Sequence, residues 1–438
     1  MATAQESPEY DAIVIGGGPA GSATALGLAR AGKKVVVFER RTFPRFHIGE
    51  SMLPYTAGIL DQLGLLELFG PDDYPTKWGA EFCSAEGMFR RVDFTAQGGG
   101  RREAAFQCER ALFDEVLLRE PARPARDRRG RRVLGVIIEN DRTVGVEVRL
   151  GEETKQVRAR FVMDASGRAG IISNQTFKQR EPNTRLQLVA YFKHYTDVDE
   201  ANNPGVEGDI QVGNHPDGWL WAIPIHKGVL SVGAVTPAAN LRGRNPEDVY
   251  EEHVSRVGRI NQRLAGASAT AGVRGESDYC YYTNTVVGNG WFLVGDSGCF
   301  IDPVFSAGVY LGVVSGTKAA EAVVQILDGA DETATAQQYE NFYKTGYDCY
   351  TRLIYAFYES NFNFMAYVRS LGQQAVNIEG RWISRLLSGD FWSELNPVGA
   401  HLRAERRYDT FAPFPFVYGC PVYPEQDARE KQEMLANA

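Results

Sequence analysis

Residues 12–39 set a strand, a glycine turn, a helix and a second strand in an order that few folds accept. Ala12-Ile-Val-Ile15 is a short apolar run, suited to a strand buried on both faces. Gly16-Gly-Gly-Pro-Ala-Gly21 follows, and then Ser22 to Ala31, rich in Ala and Leu, reads as a helix. Lys34-Val-Val-Val-Phe38 is the second apolar run and ends at Glu39. Gly16, Gly18 and Gly21 thus fit G-x-G-x-x-G in the context that gives the pattern meaning. The first glycine permits a tight turn, the second lets the backbone approach a diphosphate, and the third lets helix and strand pack closely. Beyond Pro19, the helix start at Ala20 and Gly21 offers free N–H groups and partial positive charge to that diphosphate. A carboxylate at Glu39 can accept ribose hydroxyls and disfavours a 2′-phosphate, so the ADP-ribose of FAD or NAD fits better than NADP.

The choice between FAD and NAD rests on distant residues. Gly295-Asp296 follows the apolar run Trp291 to Val294 and precedes a helical pattern, making a second ribose or ribitol contact. Phe161-Val-Met-Asp-Ala-Ser-Gly-Arg168 is a third strand-to-glycine segment that could return beneath a cofactor. FAD is long enough to need both ends of such a chain, whereas an NAD-binding half would not reach residue 296. The three segments in this order point to FAD.

Composition narrows the partners. The chain has 438 residues, with 47 Lys plus Arg against 55 Asp plus Glu, a net charge of -8. An acidic chain repels phosphate backbones, so no nucleic acid partner is expected. No run approaches the length of a membrane span, so no membrane is expected either. The start from Met1 to Asp11 has neither a basic nor an apolar leader region, and the chain reads as cytoplasmic. Six scattered Cys include no Cys-x-x-Cys pair, so neither a disulfide scaffold nor a metal site is expected.

Val133 to Glu139, Thr143 to Leu150 and Gln156 to Ala165 read as strands of a meander, and residues 185–240 alternate like strands again. Arg119 to Arg132 holds seven Arg, two Pro and one Gly without periodicity, which predicts a solvated loop. Ser306 to Leu327 predicts a long helix, and aromatic residues recur at helical spacing beyond Thr333.

Together, Gly16–Gly21, Glu39, Phe43-Pro-Arg-Phe-His-Ile-Gly-Glu-Ser-Met-Leu-Pro54, Gln107-Cys-Glu-Arg110, Asp164-Ala-Ser-Gly167 and Gly295-Asp296 resemble the flavin-dependent halogenases. Those enzymes share a para-hydroxybenzoate-hydroxylase-like flavoprotein fold. Trp219-Leu-Trp-Ala-Ile-Pro224 matches W-x-W-x-I-P, and Phe300-Ile-Asp-Pro-Val-Phe-Ser-Ala-Gly308 matches F-x-x-P-x-x-S-x-G. Both motifs separate halogenases from their hydroxylating relatives. In length the chain is similar to the compact phenol and pyrrole type.

The resemblance implies an α/β fold, with a Rossmann-like FAD-binding domain, an inserted mixed or antiparallel substrate sheet and a helical C-terminal region. The FAD-binding domain would span residues 1–330, in pieces 1–75, 104–180 and 286–330, with the substrate sheet interleaved at 76–103 and 181–285. Residues 331–438 would cover the substrate pocket, the aromatic tail suiting a flat phenolic or pyrrolic ring, while Trp78, Phe82 and the tyrosines of the tail would supply apolar walls beside Lys77. It also implies the site. Lys77 falls where the family carries its catalytic lysine, and Ala307 and Gly308 where its amides hold chloride or bromide. Trp219, Trp221, Pro303 and Ser306 would wall the flavin and the tunnel. Gly308, Glu50 and Arg110 join Gly16, Gly18, Ala20, Gly21, Glu39 and Asp296 as cofactor contacts, Arg110 toward the phosphates. His47 reads as a solvated or capping residue.

The implied reaction uses FADH2 from a separate flavin reductase and O2 to form a flavin C4a-hydroperoxide, which halide converts to hypohalous acid. Lys77 then presents electrophilic halogen to an electron-rich aromatic, free or tethered to a carrier protein. Two other readings stay open: an aromatic hydroxylase, which needs neither halide nor Lys77, and a prenyl-chain reductase of the same fold.

Overall fold

The computed structural model describes residues 7–122, 126–277, 280–360, 366 and 380–436, with side chains 120–129 outside the description. Tyr10–Ile15 lies at the middle of a parallel sheet, between Val35–Glu39 and Glu153–Asp164. Trp291–Leu293 extends the sheet on one side and Arg126–Arg129 on the other. Strands buried on both faces explain the unbroken apolar runs, and Ala12, Ile13 and Val14 are wholly buried. The N-terminal half of Glu153–Asp164 leaves this sheet and pairs antiparallel with Arg142–Leu150, which pairs with Arg132–Glu139. That is the meander the sequence predicts.

The stretch from Arg119 to Arg132 departs from the predicted loop. A helix runs from Arg110 to Ala122, and Arg126–Arg129 forms a strand. The outer edge of Val35–Glu39 would otherwise leave its backbone groups unpaired, and pairing satisfies them whatever the side chains.

The second sheet is built from Leu188–Thr196, Val229–Pro237, Gly218–His226, Ile210–His215, Gly79–Ser84 and Phe89–Asp93, in that spatial order. Only the Ile210–His215 and Gly79–Ser84 pair is parallel along this path.

The helix Pro19–Arg30 packs on Gly308–Leu327. A Cβ at Gly316 would meet the Ala20 carbonyl oxygen at 2.4 Å, so only glycine allows this closeness. The contact carries residues near 308 to the mouth of the first glycine turn. Glu332–Glu359, capped by Asp331, crosses beneath with its aromatic face inward. Tyr339 donates to the Leu293 carbonyl and Tyr343 to that of Gly295, both at 2.7 Å, and Tyr350 donates to that of Asp302. These tyrosines of the tail brace the segment 293–302 rather than wall a pocket. Helices Gly380–Ser388, Pro397–Ala404 and Pro424–Ala436 complete the described C-terminal region.

Candidate active site

A groove opens above the first glycine turn. Gly16 has φ +103°, and a Cβ there would lie 2.4 Å from the Ala165 carbonyl oxygen, while one at Gly21 would lie 2.0 Å from that of Gly16. Gly18 differs: its nearest neighbour would be Arg45 Nη2 at 3.4 Å, so the space over its backbone is open. Glu39 accepts the Gly17 N–H at 2.9 Å and the Arg41 N–H at 2.8 Å, which ties the turn to the end of the second strand. Across the groove, a Cβ at Gly295 would meet that of Ala20 at 3.0 Å. The two distant ends of the chain therefore meet here. Asp296 lies half-buried beyond Gly295, and desolvation pushes its carboxyl up to about 6 against the pull of Arg110, Arg168 and Arg180.

The groove fits the diphosphate of FAD. Arg45 Nη1 is buried without a partner beside the open backbone of Gly18, while Nη2 lies 3.2 Å from Asp114. An orphaned guanidinium N–H in that place suits a phosphate oxygen. Arg110 is occupied differently: it makes two hydrogen bonds to Asp114 and two to the carbonyls of Ile48 and Gly49. Arg45 lies in the quoted segment but carried no signal of its own, since one Arg near a loop is ordinary. Glu50 is buried, and its Oε1 lies 2.7 Å from His194 Nε2. His47 is exposed and faces its neighbour's carbonyl.

Lys77 lies over the face of the inserted sheet that carries Phe82 and Val212. Thr76–Lys77 pairs with Ala105–Phe106, and Met52 N–H reaches the Phe106 carbonyl, so Ser51 and Met52 run alongside. Lys77 is 1% exposed; Nζ donates to Ser51 Oγ at 2.8 Å and to the Met52 carbonyl at 3.0 Å, and sits 5.4 Å from the Phe94 ring. Asp209 locks the chain just after it, accepting the N–H groups of Trp78 and Gly79 and the Nε of Arg91. Desolvation lowers the Lys77 pKa to about 7, with Asp209 pulling weakly the other way.

Lys77 lines a cavity of about 20 Å3 together with Leu53, Phe82, Phe94, Val304, Phe305 and Ser306, among others. That space matches one water-sized guest. Phe82 is thus a wall as expected, Trp78 is 43% exposed and is not, and the tail contributes Leu387.

Ser306 belongs to the strand-to-helix turn that runs from Pro303 to Gly308. Its φ of +58° is left-handed, and its N–H reaches the Pro303 carbonyl. Ala307 caps the helix and Gly308 is its first residue, so their amides belong to the first turn and have no partner within the helix. The hydroxyl of Tyr350 faces the Phe305 and Ala307 amides. Trp219 and Trp221 share one face of their strand, with ring centroids 5.9 Å apart, and both are buried. The Trp221 N–H reaches Ser231 and the Trp219 N–H reaches Tyr358.

Asp390, Cys420 and Asp427 lie at ligand spacing, but guanidinium groups of Arg385 and Arg101 already pair with these carboxylates. This cluster is an ion-pair network.

A Rossmann-like FAD groove joined to an inserted sheet and a helical C-terminal region defines a flavin-dependent oxidoreductase. The sequence profile of the tryptophan halogenase family matches residues 11–95 and 88–367. The chain is 34% identical over 367 residues to tryptophan 2-halogenase from Chondromyces crocatus, covering 80% of this chain and 68% of that one. It is 28% identical over 410 residues to the 1H-pyrrole-2-carbonyl-peptidyl-carrier-protein chlorinase of Pseudomonas fluorescens, covering 88% and 90%. Its structure matches the myxobacterial chondrochloren halogenase CndH with a TM-score of 0.76 at 31% identity, over 96% of each chain. The chain belongs to the tryptophan halogenase family and is a flavin-dependent halogenase.

Proposed function

We propose that this enzyme halogenates an electron-rich phenol or pyrrole, with Lys77 presenting the halogen. The observation that carries the reading is the cavity that Lys77 shares with Ser306, whose turn leads directly to Ala307 and Gly308. An oxidant of about the size of a water fits the space between the halide turn and the amine.

FAD, when bound and reduced, supplies the electron pair with which O2 converts halide to hypohalous acid. The residues of this chain do the rest. Gly18 and Arg45 hold the diphosphate, and the amides of Ala307 and Gly308 hold the halide. Trp219 and Trp221 keep the aromatic substrate away from the site of oxidation. Lys77 takes up the hypohalous acid. Two of its tetrahedral directions point to Ser51 and Met52, which leaves the third for the cavity. That direction carries an N–H in the ammonium and a lone pair in the amine. With a pKa of about 7, both forms are present near neutrality, so the group can polarise the oxidant or bond to its halogen.

The likeness to a halogenase of a carrier-bound pyrrole supports a ring tethered to a carrier protein. Only one dinucleotide fingerprint occurs in the sequence, which supports delivery of reduced flavin by a separate reductase. The test is mass spectrometry of products from free phenols and carrier-bound pyrroles, with FAD, a flavin reductase, NADH and chloride or bromide. A halogen isotope pattern supports the reading; an added oxygen without halogen overturns it.

A further inference from the structure

Asp302 stands at the entry of the turn that carries Ala307 and Gly308, 1% exposed. Its Oδ1 accepts the Val304 N–H at 2.9 Å, and its Oδ2 accepts the Tyr358 O–H at 2.7 Å. Tyr358 oxygen in turn accepts the indole N–H of Trp219 at 2.9 Å. An indole can only donate, so Tyr358 accepts from Trp219, and toward an ionised Asp302, which can only accept, it donates. The carboxyl therefore ties the halide turn to the tryptophan wall through one phenol.

No Lys, Arg or His among the described residues forms an ion pair with this carboxylate. A buried carboxylate without a countercharge resists ionisation, and desolvation pushes Asp302 up to about 7 while Tyr358 and Val304 pull the other way. An ionised carboxylate at this place also opposes any anion at the neighbouring amides.

We propose that Asp302 is a positioning residue that couples halide binding to proton uptake, admitting halide to the turn when neutral and repelling it when ionised. This rests on Ala307 and Gly308 being the halide donors. Other titratable groups face the same place. Tyr350 and Tyr358 come from the long helix, and Cys280 from the facing strand end; burial raises the pKa of Tyr350 and Cys280, so both stay protonated near neutrality. Asp296 is an electrostatic neighbour of Tyr350 and ionises below the window of interest. Lys77, across the cavity, loses its charge in the same range and would weaken halide binding in the same direction.

The test removes that overlap. Chloride binding to FAD-loaded Lys77→Met protein is read from broadening of the chloride NMR line, between about pH 6.5 and about pH 9, with and without Asp302→Asn. With Asp302 present, the chloride Kd should rise about tenfold per pH unit above its pKa, and with Asp302→Asn it should stay flat. Tyr358→Phe removes a donor to the ionised form, so it should move the onset of the rise to higher pH. A flat Kd with Asp302 present, or the same slope without it, overturns the coupling and leaves the halide reading standing. No chloride binding at any pH overturns both.

Discussion

The amine of Lys77 donates to Ser51 Oγ at 2.8 Å, which joins the residue that would present halogen to the segment Gly49-Glu50-Ser51 beside the flavin groove. Both oxygens that meet Nζ are neutral, so the amine is held in place without a contacting carboxylate. Fixed position and a depressed pKa arise from the same burial.

That burial has a consequence for stability. The amine has a pKa of about 7 in the folded state against 10.5 when free, so the unfolded chain binds more protons between these values. Stability should therefore be lowest below about pH 7 and climb as pH rises from there, by at most about 1.4 kcal/mol per unit from this group. Lys77→Met should remove this component and be the more stable protein at pH 7. Urea unfolding of both proteins across the range checks it.

Arg45 and Arg110 should separate by readout. Arg45→Met removes the orphaned N–H beside Gly18, and should weaken FAD binding by about tenfold to a hundredfold, from the value of a charge-assisted hydrogen bond. Flavin fluorescence titration measures it. Arg110→Met strips Asp114, whose side chain has no exposed surface, of its two hydrogen bonds and leaves it only Arg45, and should cost about 1–3 kcal/mol of stability. Equal effects of the two variants on both measurements would contradict this division.

Tyr358→Phe leaves the Trp219 N–H and Asp302 Oδ2 without their shared partner. Loss of about 1–3 kcal/mol in denaturant unfolding is expected. Tyr350→Phe, by contrast, removes a partner of backbone groups only, the Asp302 carbonyl and the Phe305 and Ala307 amides, and should leave the indole environment unchanged in Trp fluorescence.

Much of this was legible in the sequence, because certain residues are constrained by local chemistry alone. The first glycine turn and its two strands follow from the positive φ of Gly16 and the close approach of Gly21 to the Gly16 carbonyl, both local to the turn. The strand spacing of Trp219 and Trp221 sets them on one face for the same reason. Arg45 and Asp302 were not legible as individuals. Their importance lies in what they lack: a partner for one N–H, a countercharge for one carboxylate. Such gaps exist only after distant segments meet. The tyrosines of the long helix misled for a related cause. Their spacing gives an aromatic face, but whether it meets a ligand or a backbone is decided by the segment 293–302 that it packs on. The Arg-rich strand was hidden because an edge strand takes its place from the backbone of its neighbour.

The most direct test of the role of Lys77 is mass spectrometry of products from Lys77→Ala beside the unaltered enzyme, in the same assay that consumes reduced FAD, O2 and halide. Loss of the halogen isotope pattern with flavin oxidation continuing at an undiminished rate is the expected result. A halogenated product formed by Lys77→Ala at the rate of the unaltered enzyme would contradict it.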